Sequence, residues 1–279
     1  MTLSEKRSLI SALHKEYSVR EICETLGFDR SSFYYHPKED PSEELLRSEI
    51  EKLAGRYPRY GYRRITQLLL RQGYTVGSRR VARLMKTNNL LVSVKRACQT
   101  TKSLQGEKPW RNRLENLVVS RQDQVWVADI TYVRLKGRFV YLCLLMDVFT
   151  RLIRAWHISQ HLNHSLTLKP LKEAFCHSVC EIHHSDQGVQ YLSKAYVTTL
   201  EEHGVEISVA RRGRPWENGY AERLIRTLKE EEVHINDYQS ITEARDRIGH
   251  FITQVYHQKR PHSALGYLTP IEFQRQNLS

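Results

Sequence analysis

Trp126-Val127-Ala128-Asp129-Ile130-Thr131-Tyr132 is the stretch on which the fold turns. Its β-branched and aromatic alternation predicts a strand from Val125 to Val133. An aspartate in the middle of such a strand demands a reason, because an unpaired buried carboxylate is costly. Downstream, Lys136-Gly137-Arg138 reads as a turn, Phe139 to Phe149 as a buried strand and Arg151 to Ile158 as a third. Residues 163–178 look helical, with Pro170 expected to kink or split them. A short strand over Val179 to His184, a helix over Ser193 to His203 and a fifth strand over Val205 to Val209 follow. Helices at about 217–233 and 241–258 complete the region. Three sequential strands and then alternating helices and strands describe a mixed α/β sheet covered by helices.

Two further carboxylates stand at comparable places. Asp186 follows Ile182-His183-His184 at a strand-to-loop exit, and Glu222 lies near the start of the helix that opens at about Glu217-Asn218-Gly219. Each has an ordinary structural reading when taken singly, a satisfied polar group in the strand or an acid favoured at a helix start. Together they can converge on hard divalent cations, which prefer oxygen ligands. Between Asp129 and Asp186 lie 56 residues, and between Asp186 and Glu222 lie 35.

Upstream the texture is helical. Glu5 to Tyr17 sets Leu9, Ile10 and Leu13 on one face. Ser18 caps a second helix in a capping box with Glu21, and Gly27 suits its C-terminus. A third short helix runs from Arg30 to Tyr35. Glu43 to Leu53 is helical, Gly61-Tyr62 opens a helix stopped by Gly73, and Ser78 caps Arg79 to Lys86. In this last helix Val81, Leu84 and Met85 form the apolar stripe and leave Arg79, Arg80, Arg83 and Lys86 outside, with Arg63 and Arg64 on the helix before. An arginine-faced helix after a turn is what a reader of the major groove or of phosphates looks like.

Charge sharpens that reading. The 279 residues carry a formal +12, but residues 1–51 are net −4, residues 52–113 net +15 with Glu107 as their one acid, and residues 114–279 net +1. A block so basic repels itself unless a polyanion neutralises it, and nucleic acid is the usual one. With the arginine-faced helix inside the block, double-stranded DNA is the expected partner. At 40% apolar the chain is neither a disordered polycation nor a membrane protein. Its longest apolar run, Phe139 to Met146, is far short of the roughly 20 residues of a spanning helix. Five cysteines without paired spacing and no signal core at the start fit a cytoplasmic protein.

The flanks of the three carboxylates narrow the reading. His184-Ser185-Asp186-Gln187-Gly188, Glu217-Asn218-Gly219-Tyr220-Ala221-Glu222 and the run from Tyr256 to Gly266 resemble the OrfB-type catalytic subunit of family-three bacterial insertion-sequence transposases. So does Pro58-Arg59-Tyr60-Gly61-Tyr62-Arg63-Arg64-Ile65 upstream. The 35-residue gap is that of the Asp-Asp-35-Glu superfamily of transposases and retroviral integrases. Ala128 stands where that family often has threonine, and Gly219-Tyr220 replaces a commoner small pair. Both neighbour the carboxylates and leave them intact.

The resemblance implies a ribonuclease-H-like core over 119–279, preceded by all-α helix-turn-helix modules at 1–40 and 41–92 and a basic linker at 93–118. It implies cleavage of the element's ends and joining of the freed 3′-hydroxyl to DNA through a circular intermediate. Asp129, Asp186 and Glu222 would be both catalytic and metal-binding, with two Mg2+ ions and Mn2+ as a substitute. It further implies a homo-oligomer on DNA, a nucleoid-associated bacterial location, and an upstream-frame protein or fusion. The chain shows no sustained heptad before residue 40, as expected of the downstream product alone.

Arg226 and Lys229, four and seven residues past Glu222, share its helix face and are expected to grip phosphates flanking the cut. Cys176, Cys180, His183 and His184 could suggest zinc, but a strand turns adjacent histidines to opposite faces, so they read as packing residues. His262 reads as structural or DNA-contacting, and Tyr34-Tyr35 offers no nucleophile of comparable weight. Two alternatives stand beside the transposase: a ribonuclease-H-like nuclease that cuts without joining, and a DNA-binding regulator with an inactive core.

Overall fold

The computed structural model describes residues 1–34, 41–92 and 110–277. These fall into two compact units, Met1–Glu49 and Ile50–Ser279. Tyr35 and most of the segment read as a basic linker lie outside the described residues.

In the first unit, α1 (Leu3–Leu13), α2 (Val19–Thr25) and α3 (Arg30–Tyr34) close on Ile10, Ile22, Cys23 and Phe28. Ser18 and Glu21 form the expected capping box, and Thr2 with Glu5 forms another on α1. Gly27 turns the chain with φ +55°, a conformation that costs other residues a Cβ clash. The boundary between units falls within α4 (Pro41–Arg56).

The second unit continues with α5 (Tyr62–Arg71) and α6 (Ser78–Thr87), packed through Ile65, Leu69, Val81, Leu84 and Met85. The cap of α6 is Gly77 rather than Ser78, which instead starts the helix and makes no side-chain cap bond. Gly77 has extended φ/ψ and takes the cap position, so the helix starts one residue earlier than expected.

The sheet has five strands in the order β3-β2-β1-β4-β5. β1 (Val125–Leu135), β2 (Arg138–Asp147) and β3 (Ile153–Ser159) form an antiparallel meander, and β4 (Ile182–Ser185) and β5 (Glu206–Val209) run parallel to β1. The third strand starts two residues later than expected because Asp147 organises the preceding turn. Its Oδ1 accepts from Thr150 N and Oγ1 at 2.6 Å each, and its Oδ2 accepts from Asp123 N at 2.8 Å. α7 (Ser165–Phe175) and α8 (Lys194–Glu202) cover one face over Trp126, Ala128 and Leu145. Pro170 does not split α7; its ring is buried, and the helix runs on without its N–H. α9 (Gly219–Glu231), α10 (Ile241–His250) and a π-helical stretch over Phe251–Tyr256 cover the other face, over Val127, Val133, Leu142 and Leu144. α11 (Pro270–Asn277) ends the described chain. Among the described residues no helix is long and apolar enough to cross a membrane.

α5 is tied to this core by charge. Arg64 donates to Glu231 Oε1 at 3.1 Å, and Arg260 donates to both Glu231 oxygens at 2.8 Å. Arg71 bonds both oxygens of Glu272 and the Tyr267 carbonyl.

Candidate active site

Asp129 lies where β1 runs on past its neighbour. The last paired residues are Val127 and His184. Carrying that register two residues further sets Asp129 level with Asp186, at the point where the strands part. Neighbouring strands lie about 4.8 Å apart, so the two carboxylates share one rim of the sheet. Asp129 has the parity of Val125, Val127 and Val133, which face the layer of α9. Glu222 is in the first turn of that helix.

Asn218 fixes the helix start. It holds the N-cap position but makes no cap bond; its Nδ2 donates 3.2 Å across to the carbonyl of Ala128, next to Asp129. Glu222 follows one helical turn later. On the other side, Asp186 Oδ1 accepts the Gly188 N–H at 2.9 Å, an Asx-type turn. The approach leaves no room for a side chain, since a Cβ on Gly188 would stand 2.9 Å from that same oxygen. Neither Asn218 nor Gly188 stood out as a site residue in the sequence. Asp-x-Gly was a readable turn signal for the second, whereas Asn-Gly before a helix reads as an ordinary cap.

The electrostatics join the three acids. Burial pushes the Asp129 carboxyl up, the charge of Asp186 adds to this, and Glu222 adds a smaller push. The Ile130 N–H, donating to Asp129 Oδ1 at 2.7 Å, and the cation of Lys229 oppose them, and the balance leaves Asp129 at about 8. Surrounding protein also raises Asp186, against the Gly188 hydrogen bond. Carboxylate oxygens are the donors that a hard divalent cation prefers. Among the described residues no three His, Cys, Asp or Glu side chains are gathered closely enough to hold a metal ion. That fits the weaker pull of Glu222.

The cations expected to meet DNA divide into two groups. Lys229 is half-buried with its Nζ 4.2 Å from the centroid of the Tyr132 ring, and its charge reaches Asp129. Arg226 is exposed on the same helix face. Arg63, Arg79, Arg83 and Lys86 are exposed and Arg80 partly so. Arg64 departs from its helix neighbours: its guanidinium turns inward to Glu231 and over the Tyr60 ring, because the i+1 position after Arg63 points to the core side of α5. His183 and His184 face opposite ways, the first accepting or donating to Tyr196 Oη at 2.8 Å and the second to Ser208 Oγ at 2.8 Å. His262 is buried, edge-on to Tyr256.

Residues 119–215 and 203–270 each match an integrase core domain, and residues 41–97 match an HTH-like domain. The chain is 30% identical over 278 residues to the InsK protein for insertion sequence element IS150 of Escherichia coli (strain K12), covering 96% of this chain and 97% of that one. It is 30% identical over 250 residues to the transposase for insertion sequence element IS904 of Lactococcus lactis, covering 86% and 97%. The integrase catalytic core of HTLV-2, solved in complex with magnesium, overlays 54% of the chain and 95% of that core at 14% identity and a TM-score of 0.43. With a mixed five-stranded sheet, an integrase core and relatives matched from end to end, the chain belongs to the IS3 family of insertion-sequence transposases, enzymes that cleave DNA and transfer its strands.

Proposed function

We propose that Asp129, Asp186 and Glu222 are the catalytic residues of this transposase and together hold two divalent cations, Mg2+ with Mn2+ as a substitute. The observation that carries the reading is the register that sets Asp129 level with Asp186 at one rim of the sheet, on the face covered by α9 with Glu222 in its first turn. Burial, then the charges of Asp186 and Glu222, raise the Asp129 carboxyl there. Asp129, Asp186 and Glu222 would supply the carboxylate oxygens that hold the ions. Bound there, such ions lower the pKa of an attacking water or 3′-hydroxyl and stabilise the leaving oxygen. The chain's own residues do the rest. Asn218 and Gly188 orient the acids, and Lys229, steadied on Tyr132, and Arg226 grip phosphates beside the cut. Water attacks in cleavage and the freed 3′-hydroxyl in joining. In each, one P–O bond forms as another breaks, so no side chain becomes attached to DNA.

Arg63, Arg79, Arg80, Arg83 and Lys86 hold the duplex away from the reacting centre. On this reading residues 1–40 and 41–92 are recognition modules, 93–118 a basic linker and 119–279 the catalytic core. The chain works as a homo-oligomer on DNA in the bacterial cytoplasm, alone or with an upstream-frame partner.

The test is single substitution. Asp129→Asn, Asp186→Asn and Glu222→Gln are each expected to abolish Mg2+-dependent cleavage and joining, with pairs no worse than singles, while duplex binding in Ca2+ persists. One variant that keeps wild-type strand transfer removes its residue from the site. Cleavage without joining by the unaltered chain favours the nuclease, and binding without either favours the regulator.

A further inference from the structure

A cavity of about 670 Å³ lies around α9 from the carboxylates, walled by Arg151, Arg211, Arg214, Trp216, Tyr220 and Arg223. On a helix Arg223 stands about 100° around from Glu222, so the cavity and the reacting centre use different faces of α9. Its size suits a ligand of one nucleotide unit.

Trp216 is the unusual feature. It is 68% exposed, on a 3-10 turn whose neighbours are anchored on its C-terminal side. Glu217 is held by Arg211, whose backbone N–H and Nε donate to its two oxygens at 2.7 Å each, and Asn218 is pinned to Ala128. A large indole held out by a fixed turn offers a stacking platform, whereas a loose surface aromatic would fold back onto apolar neighbours.

The wall behind it is cationic. Glu115 and Glu217 also line the cavity, and both are committed to Arg211. Arg223 is exposed and makes no salt bridge among the described residues. Arg151 adopts φ +63°, a left-handed conformation that is strained for a residue with a Cβ. Its guanidinium carbon stands 4.5 Å from the centroid of the Tyr220 ring, and its Nε is buried with no hydrogen-bond partner. Deeper in, the cations of Arg260, Arg64 and Arg151 help burial to keep His262 unprotonated. Strain, an orphaned donor and two arginines, Arg151 and Arg223, without a carboxylate among the described residues meet at one place.

We propose that this cavity is a subsite for one unpaired nucleotide of a DNA strand, its base stacked on Trp216 and its phosphate held by the Arg151 and Arg223 guanidiniums. Base-on-aromatic stacking beside arginine is tolerant of sequence and selects single strands, because a paired base has no free face. The inference rests on the reading of the neighbouring carboxylates as the reacting centre, which brings the DNA there.

The test uses the full chain with four probes: a ten-residue oligothymidylate, a blunt duplex of equal length, thymidine 5′-monophosphate and inorganic phosphate. Tryptophan fluorescence reports contact, and anisotropy of labelled oligothymidylate and labelled duplex gives the affinities. Oligothymidylate is expected to quench the unaltered chain. Trp216→Ala should lose most of that quenching and weaken oligothymidylate binding about tenfold, as removal of one stacking residue does. Trp216→Phe should recover most of the affinity, Arg223→Glu should weaken it as Trp216→Ala does, and duplex affinity should hold in both tryptophan variants. Equal oligothymidylate affinity in the unaltered chain and Trp216→Ala overturns the proposal. So does displacement of oligothymidylate by inorganic phosphate as readily as by thymidine monophosphate, which would mark an anion site without a base. Because Trp216 is exposed, melting curves of its variants should match the unaltered chain. If Asp129→Asn keeps full activity while Trp216→Ala still loses the oligothymidylate, the carboxylate assignment fails and this subsite stands.

Discussion

A Cβ on Gly188 would stand 2.9 Å from Asp186 Oδ1 and 3.4 Å from both Gln190 Oε1 and Tyr191 Cδ2. No real side chain tolerates the first contact, so Gly188→Ala must turn the Asp186 carboxylate away. On the role proposed for Asp186, its displacement by a fraction of an ångström is expected to lower cleavage about 10- to 100-fold. The loop is at the surface, so the melting temperature should hardly move; cleavage rates and thermal melts of the variant check both halves. A variant that cleaves at the normal rate would show that Asp186 is oriented by something other than the Gly188 N–H. At this scale the sequence was uneven. Asp129 announced itself as a charge inside an apolar strand, and Asp186 and Glu222 as acids at element ends. Asn218 was hidden because its long-range bond to Ala128 competes with the local capping bond its type prefers, and only the tertiary fold decides between them.

Glu231 shows what an element end can carry. It accepts from Arg64 and Arg260 in a buried cluster in which the Arg260 side chain is 4% and its own 6% exposed. Glu231→Gln would leave two guanidiniums facing each other without a counter-charge. Breaking such a pair costs about 3–5 kcal/mol, expected as a lowered denaturant midpoint with an unchanged m-value. Glu272→Gln, at the half-exposed Arg71 pair, should cost about 1 kcal/mol or less. The same region predicts acid sensitivity. His257, whose Nε2 accepts the Ile153 N–H at 3.0 Å, is lowered to about 4 by burial and by Arg154. His262 is lowered to about 2 by burial and by Arg260, Arg64 and Arg151. Both are unprotonated when folded and take up a proton near pH 6.5 when unfolded. Their contribution is therefore complete above about pH 6.5 and shrinks as pH falls toward the folded values. At pH 5 each should account for about 2 kcal/mol of lost stability. Denaturant curves at pH 7 and pH 5, repeated on His257→Gln, read this: the variant should lose less on acidification. Elements were more legible than their joins. The period-2 and period-3.6 patterns placed all five strands and the helices up to α10, because each has one apolar face; α11 (Pro270–Asn277) was not read from the sequence. The inward turn of Arg64 was not legible, since helix phase alone does not say that a glutamate 167 residues away waits on the core side.

The whole molecule is electrostatically lopsided, with net −4 over residues 1–51 and +15 over residues 52–113. Duplex binding should therefore weaken steeply with salt, log K falling by about 0.9 per phosphate contact for each decade of concentration. Replacing Arg79, Arg83 and Lys86 together with alanine should flatten that slope by about 2 to 3, measurable by anisotropy between low and physiological salt. An unaltered slope would place the duplex on another surface. The charge tally pointed to nucleic acid because charge is written in residue types, whereas cleavage and joining of strands were foreseen only through the family resemblance that the motifs carry. The division of the described residues at Glu49 could not be foreseen, since it depends on which apolar faces find each other.

α9 imposes one more condition on the gene. Glu222 and Glu231 are nine residues apart on one helix, which sets them about 13.5 Å apart along the axis and about half a turn out of phase. One end serves the strand rim and the other the arginines behind it. A single codon inserted between them would swing Glu231 by about 100° and strand Arg64 and Arg260, although every recognisable motif would still be in place. Four inserted codons would nearly restore the phase yet slide the two acids about 6 Å further apart. Length variation in this protein is thus rationed by angle: inheritance can lengthen its surface loops freely, while this stretch must keep its count of residues to keep both ends aimed.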